Sequence, residues 1–279
     1  MDLTRYCCLE IARSLCDPQI SLYQVRSILQ IIPSDELRSV VYKNLICLGS
    51  DSFHYYTAFY SATTDKSTLP EYFEQQINVK EMSIGNILQF GEGSTMMLQL
   101  DIHDFLNYND TISLVDVPNV SYISILCPID PLAIRFWTER LKAHNNRKWI
   151  NLKILRLPLC GNAMDIYKLI SNIPSLGYIE CNLEPKHVSE IPLLRQMLHR
   201  VENCPEIENK VTASLHIMPR NSITRRPSYT PRNKSMAPIA SFYKINSPRP
   251  LLPKPTVPRP RKKPKLKRMM TAKSYFGFS

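Results

Sequence analysis

No aspartate or glutamate follows Glu208, and the 279 residues include only seven glycines. The first absence divides the chain electrically. Sixteen lysines and arginines lie between Arg220 and Lys273, leaving 19 basic against 24 acidic residues in the remainder, about −5. The formal charge of +11 therefore describes the C-terminal part and misdescribes the rest. Scarce glycine, with no glycine-rich phosphate loop, leaves few places where backbone could close on a nucleotide, which argues against nucleotide-dependent enzymes. No apolar run reaches the length of a membrane span. The opening MDLTRYCCLEIARSL has an early acid and no unbroken apolar core, so it does not read as a secretory signal. The eight cysteines are scattered through apolar stretches with no repeated CxxC pair, the pattern of reduced thiols in cytosol or nucleus. The six histidines are isolated in sequence, and Asp101-Ile102-His103-Asp104 reads as a polar turn rather than a ligand set. No catalytic, cofactor or metal site is expected, and with 44% hydrophobic residues the chain can still bury a core.

What is present begins with helical periodicity. Leu3, Cys7, Ile11 and Leu15 recur every four residues. Tyr23, Val25, Ile28, Leu29 and Ile32 form a second such stretch, closed by Pro33. Ser34 and Asp35 can cap a third that carries Leu37, Val40, Val41 and Leu45 and stops at Gly49. Residues 1–50 are accordingly expected to be a helical module. FHYYTAFY, at residues 53–60, has the mixed aromatic spacing of a core segment. Residues 51–110 read as a connecting segment.

From residue 111 to 218 short apolar strands alternate with amphipathic helices. Leu152, Leu155, Leu157 and Cys160 follow the spacing LxxLxLxxC, and Ile173, Leu176, Tyr178 and Cys181 repeat it 21 residues later. Val120, Ile123 and Ile125 give a third copy. This region resembles the leucine-rich-repeat proteins, and the resemblance implies stacked strand-and-helix units that bury their apolar faces only against one another.

Leu3, Cys7 and Ile11 in the spacing LxxxCxxxI resemble the BC-box of cullin ubiquitin-ligase substrate receptors, with Asp2 where Ser, Thr or Pro usually stands. The resemblance implies that these side chains fill an apolar groove on an elongin-type adaptor. The same spacing also suits a stripe packed into the module's own core. IPSDEL at residues 32–37 resembles the start of an F-box, with one residue too many.

Residues 219–279 hold eleven prolines and one glycine, a composition expected to stay disordered. Arg261, Lys262, Lys263, Lys265, Lys267 and Arg268 form a basic cluster that a nuclear import receptor can read, and the same charges would attract nucleic acid weakly. MAPIASFY and MMTAKSYF are related elements. Met236, Ile239, Phe242 and Tyr243 resemble a sliding-clamp-binding motif with methionine in place of glutamine, and Tyr275 and Phe276 stand in the corresponding aromatic positions of the second copy. Ser228, Thr230 and Ser247 sit in kinase-type contexts, where phosphate would offset the basic charge.

The expected fold class is α/β: a helical module, a short leucine-rich-repeat-like layer, then a disordered basic tail. The expected function is that of a non-enzymatic nuclear interaction adaptor, a ubiquitin-ligase substrate receptor in its sharper form. The alternatives are a replication or repair factor held at the sliding clamp and a nucleic-acid binder acting through the tail.

Overall fold

A computed structural model describes residues 3–78, 83–91, 95–145, 147–202, 212–218 and 240–246. Four helices open the chain: α1 Leu3–Leu15, α2 Leu22–Ile31, α3 Asp35–Cys47 and α4 Phe53–Ala62. Ser21 and Gln24 start α2 through a reciprocal capping box, and Ser34 caps α3 by accepting from the Leu37 amide. Gly49, at φ +71°, supplies the left-handed residue that ends α3. Arg38 ties α3 to α2. Its guanidinium donates to the Leu29 and Ile32 carbonyls at 2.9 and 2.7 Å, satisfying orphan acceptors at the end of α2, and pairs with Asp35 at 2.5 Å. Arg38→Ala is therefore expected to lower stability by about 2–3 kcal/mol in denaturant titration, because partly buried carbonyls lose a charged donor.

The buried stripe of α1 is Cys8, Ala12 and Leu15, not the expected Leu3, Cys7, Ile11 and Leu15. The small side chains of Cys8 and Ala12 let α1 lie closely on α3, and this rotates Leu3 and Cys7 outward. The aromatic segment forms α4, where Phe53, Tyr56 and Phe59 are fully buried and Tyr56 stacks on Phe73 at 4.7 Å.

The strands are β1 Phe73–Asn78, β2 Leu98–Ile102, β3 Val120–Ile125, β4 Ile154–Leu157, β5 Tyr178–Cys181, β6 Leu198–Val201, β7 Ala213–Met218 and β8 Ser241–Ile245. They make one sheet in the order β1-β7-β2-β3-β4-β5-β8-β6. Pairing is parallel from β1 to β5, and β8 runs antiparallel to both of its neighbours. Between strands lie α5 Ile84–Gly91, α6 Tyr108–Ser113, α7 Pro131–Ala143, α8 Ala163–Ile170, α9 Pro185–Glu190 and α10 Pro192–Met197. The path β1 to β5 advances in one direction, so right-handed crossovers place the intervening helices on one face. Helices α4 to α8 touch in succession, as such a layer requires. Leu100, Ile123, Leu155, Ile179 and Leu215 meet them in the core. The chain is thus mixed α/β with a mostly parallel sheet.

The turn after β4 packs closely on the one after β5. The Asn182 amide donates to the Cys160 carbonyl at 2.8 Å, and a Cβ on Gly161 would sit 2.7 Å from the Asn182 carbonyl oxygen. Only glycine fits that approach. Asn162 then caps α8 by accepting from the Met164 and Asp165 amides.

Two expected boundaries change. Residues 51–110 are not merely a connection: they supply α4, α5, the start of α6 and strands β1 and β2 of the main sheet. The expected tail from 219 is interrupted at Ser241–Ile245, which pairs with β5 and β6 and buries Tyr243 there. Among the described residues no helix is long and apolar enough to cross a membrane.

Candidate functional site

Two surfaces concentrate chemistry. The first is on the helical module, where α1, α2 and the start of α3 enclose an apolar groove of about 360 Å³. Cys7, Ile11, Ile28, Ile31, Pro33 and Leu37 line it. Ile31 is 81% exposed, and Leu3, one helical turn before Cys7, is 75% exposed. Leu3, Cys7 and Ile11 thus lie along the outward side of α1, two of them exposed and Ile11 half-buried at the groove. Covering a side chain such as Leu3 or Ile31 is worth about 1.5–3 kcal/mol each, so this patch can drive docking.

The second surface is the sheet face turned away from the helices. Register places Gln76, His216, Asp101, Ser124, Arg156, Glu180 and Phe242 in one row across seven strands. Glu180 accepts from Arg156 at 2.5 Å, Arg156 donates to the Tyr122 hydroxyl at 3.1 Å, and its guanidinium lies 5.2 Å from the Phe242 ring centre. Burial works against the Arg156 charge, and the bonds to Glu180 and Tyr122 overcome it, holding the guanidinium more firmly protonated than usual. At the other end His216 lies 2.9 Å from Glu74 and 3.6 Å from Asp101, which accepts from Gln99 at 2.8 Å. The expected polar turn at Asp101 is instead the end of β2, and strand alternation puts Asp101 and His103 on one side.

Burial lowers the pKa of His103, and the nearby His216 and Arg156 charges add to the effect against Asp101. Burial also lowers His54, with Arg26 contributing. For a histidine with a depressed folded-state pKa, the unfolded chain takes up the proton first. Stability is therefore fully present above the unfolded value of about 6.5 and is lost as pH falls through it. The denaturant midpoint is expected to drop between pH 7.5 and pH 6, and His103→Asn should flatten the drop; an unchanged slope in that variant would contradict it.

Among the described residues no group of three or more His, Cys, Asp or Glu could hold a metal. Their cysteines are free thiols, and burial raises that of Cys181 well above the ordinary range. Phe242 and Tyr243, expected as exposed plugs for a clamp, are paired into β8. Tyr243 is 4% exposed and donates to the Leu183 carbonyl at 3.1 Å. Met236, Ile239, Tyr275, Phe276, the basic residues Arg261, Lys262, Lys263, Lys265, Lys267 and Arg268, and Ser228, Thr230 and Ser247 lie outside the described residues. The polar row was missed in the sequence because each short strand contributes only one or two of its members. Its one local signal is a polar residue flanked by apolar ones, as in ILRL, YIEC and SLHIM. No family model, curated protein or solved structure matches this chain.

Proposed function

We propose that this chain is a non-enzymatic nuclear interaction adaptor whose helical module docks on one partner while the α/β layer presents a second surface. The observation that carries the reading is the outward placement of Leu3 and Cys7 beside a groove reached by Ile11, on a helix whose other side is already packed. An apolar stripe left over after the core is satisfied is a docking surface rather than a folding requirement. In its sharper form the partner is an elongin-type adaptor and the protein is a substrate receptor of a cullin-type ligase. The leucine-rich-repeat-like reading of β3 to β5 supports this, since consecutive parallel strands with helices on one face leave the opposite face for a client. The basic cluster from Arg261 to Arg268 would bring the complex to an import receptor.

Leu3→Asp with Cys7→Asp tests the reading. Binding to purified elongin-type adaptor is expected to fall at least about tenfold, while the thermal midpoint stays within about 2 °C of the parent because neither side chain is buried. Retained binding, or a collapse in stability, would return Leu3 and Cys7 to a purely structural role. Clamp docking through Phe242 and Tyr243 is the weaker reading, because β8 would first have to leave the sheet.

A further inference from the structure

A further concave site lies where the turn before β3 faces the loop between α7 and β4. The cavity is about 350 Å³, and Asp116, Pro118, Arg147, Lys148, Trp149 and Ile150 help line it. Its walls are unusually constrained. Asn119, Asn145 and Trp149 all adopt positive φ, at 50°, 50° and 53°. Asparagine enters that region readily, but a bulky tryptophan rarely does. Trp149 is held there from two sides: its indole donates to the Leu114 carbonyl at 2.9 Å and meets Trp137 edge-on at 5.4 Å. Backbone strain kept in place by packing points to a site rather than to slack in the loop.

The charges set the ligand class. Asp116 engages Lys148 at 3.0 Å and Arg140 at 3.5 Å, while Arg147 makes no ion pair among the described residues. Within the lining, Arg147 and Lys148 stand against the one carboxylate of Asp116, which Arg140 also neutralises from outside it, so the pocket is left positive. The C-terminal end of α7 contributes about half a negative charge, which reduces that balance without reversing it. Beside the cations, Pro118 and Ile150 are apolar, and Ile150 is 59% exposed. The pocket offers no stacking platform for the bases of a single strand, since Trp149 is 3% exposed.

We propose that this pocket binds a short linear peptide in which an anionic group, phosphate or carboxylate, stands beside an aliphatic side chain. The inference rests on the adaptor reading for its premise that a client protein is bound. Its test involves no partner of the helical module, so the two can fail separately.

The experiment is fluorescence anisotropy on the full chain at about 0.15 M salt. Three labelled peptides are used that differ only in carrying phosphoserine, glutamate or serine next to a leucine. Saturable binding of the phosphoserine peptide alone assigns the anion to phosphate, and binding of both anionic peptides assigns it to acidic peptides generally. In either case Arg147→Glu with Lys148→Glu is expected to weaken binding at least about tenfold, and Arg147→Ala, which breaks no ion pair, should weaken it in the same direction. Lys262→Glu with Lys263→Glu should leave it unchanged. No saturable binding of either anionic peptide, equal loss in the Lys262/Lys263 variant, or full displacement by a single-stranded oligonucleotide would each overturn the proposal.

Discussion

Ending the chain at Met218 is expected to open the sheet, whereas ending it at Asn246 should not. The shorter chain loses β8, the strand that joins β6 to the rest of the sheet and covers the edge of β5. Tyr243 alone contributes a buried ring and a hydrogen bond to Leu183, and truncation of such a side chain costs about 3 kcal/mol. Against total stabilities of about 5–15 kcal/mol, losing the whole strand is severe. Hydrogen exchange reads the outcome directly. Amides of Tyr178–Cys181 should lose protection in the Met218 form and keep it in the Asn246 form. Equal protection in all three chains would show that β8 adds nothing to the sheet. The same experiment bears on clamp binding, since a segment that must leave the sheet to bind inherits this cost.

Trp137→Ala carries the second large effect, an expected loss of about 3–5 kcal/mol. Trp137 is fully buried on α7, its indole donates to the Thr111 carbonyl at 2.9 Å, and its ring supports Trp149. Removing it opens a cavity between α6, α7 and the strained loop and orphans a carbonyl. Trp137→Phe should recover most of the loss but leave about 1–2 kcal/mol for the missing donor. Denaturant titration gives both values, and near-ultraviolet circular dichroism reports on Trp149. A Trp137→Ala protein whose Trp149 signal is unchanged would mean that the loop is held by Leu114 alone.

These positions differ in how far the sequence discloses them. The start of α3 is legible from Ser34, because capping is chemistry between residues three apart. The need for glycine at 161 is not, because it comes from the Asn182 carbonyl, 21 residues away in the chain. The orientation of α1 is not, since Leu3-Cys7-Ile11 and Cys8-Ala12-Leu15 are both acceptable stripes and only the fit against α3 decides between them. β8 reads as a linear motif rather than a strand because its surroundings are rich in proline and cation, and five residues become a strand only when an edge receives them. The polar row and the pocket at Asp116 are assembled from separate strands and loops, so no window of sequence contains either. For Leu3, Cys7 and Ile11 the spacing alone left open whether they face outward or into the core, and the packing of α1 on α3 decides it.

The position of β7 has a consequence for synthesis. This strand lies between β1 and β2, and the Met97 amide is bonded to Thr212, 115 residues away. On a ribosome, β1 and β2 therefore emerge long before the segment that separates them. Until residue 218 has cleared the exit tunnel, each offers an unpaired edge, and a direct β1–β2 pairing is a ready wrong answer. Closure also waits on long-range contacts, which fold slowly. A nascent chain arrested after β5 should accordingly be a far better client for chaperones than one released beyond β8.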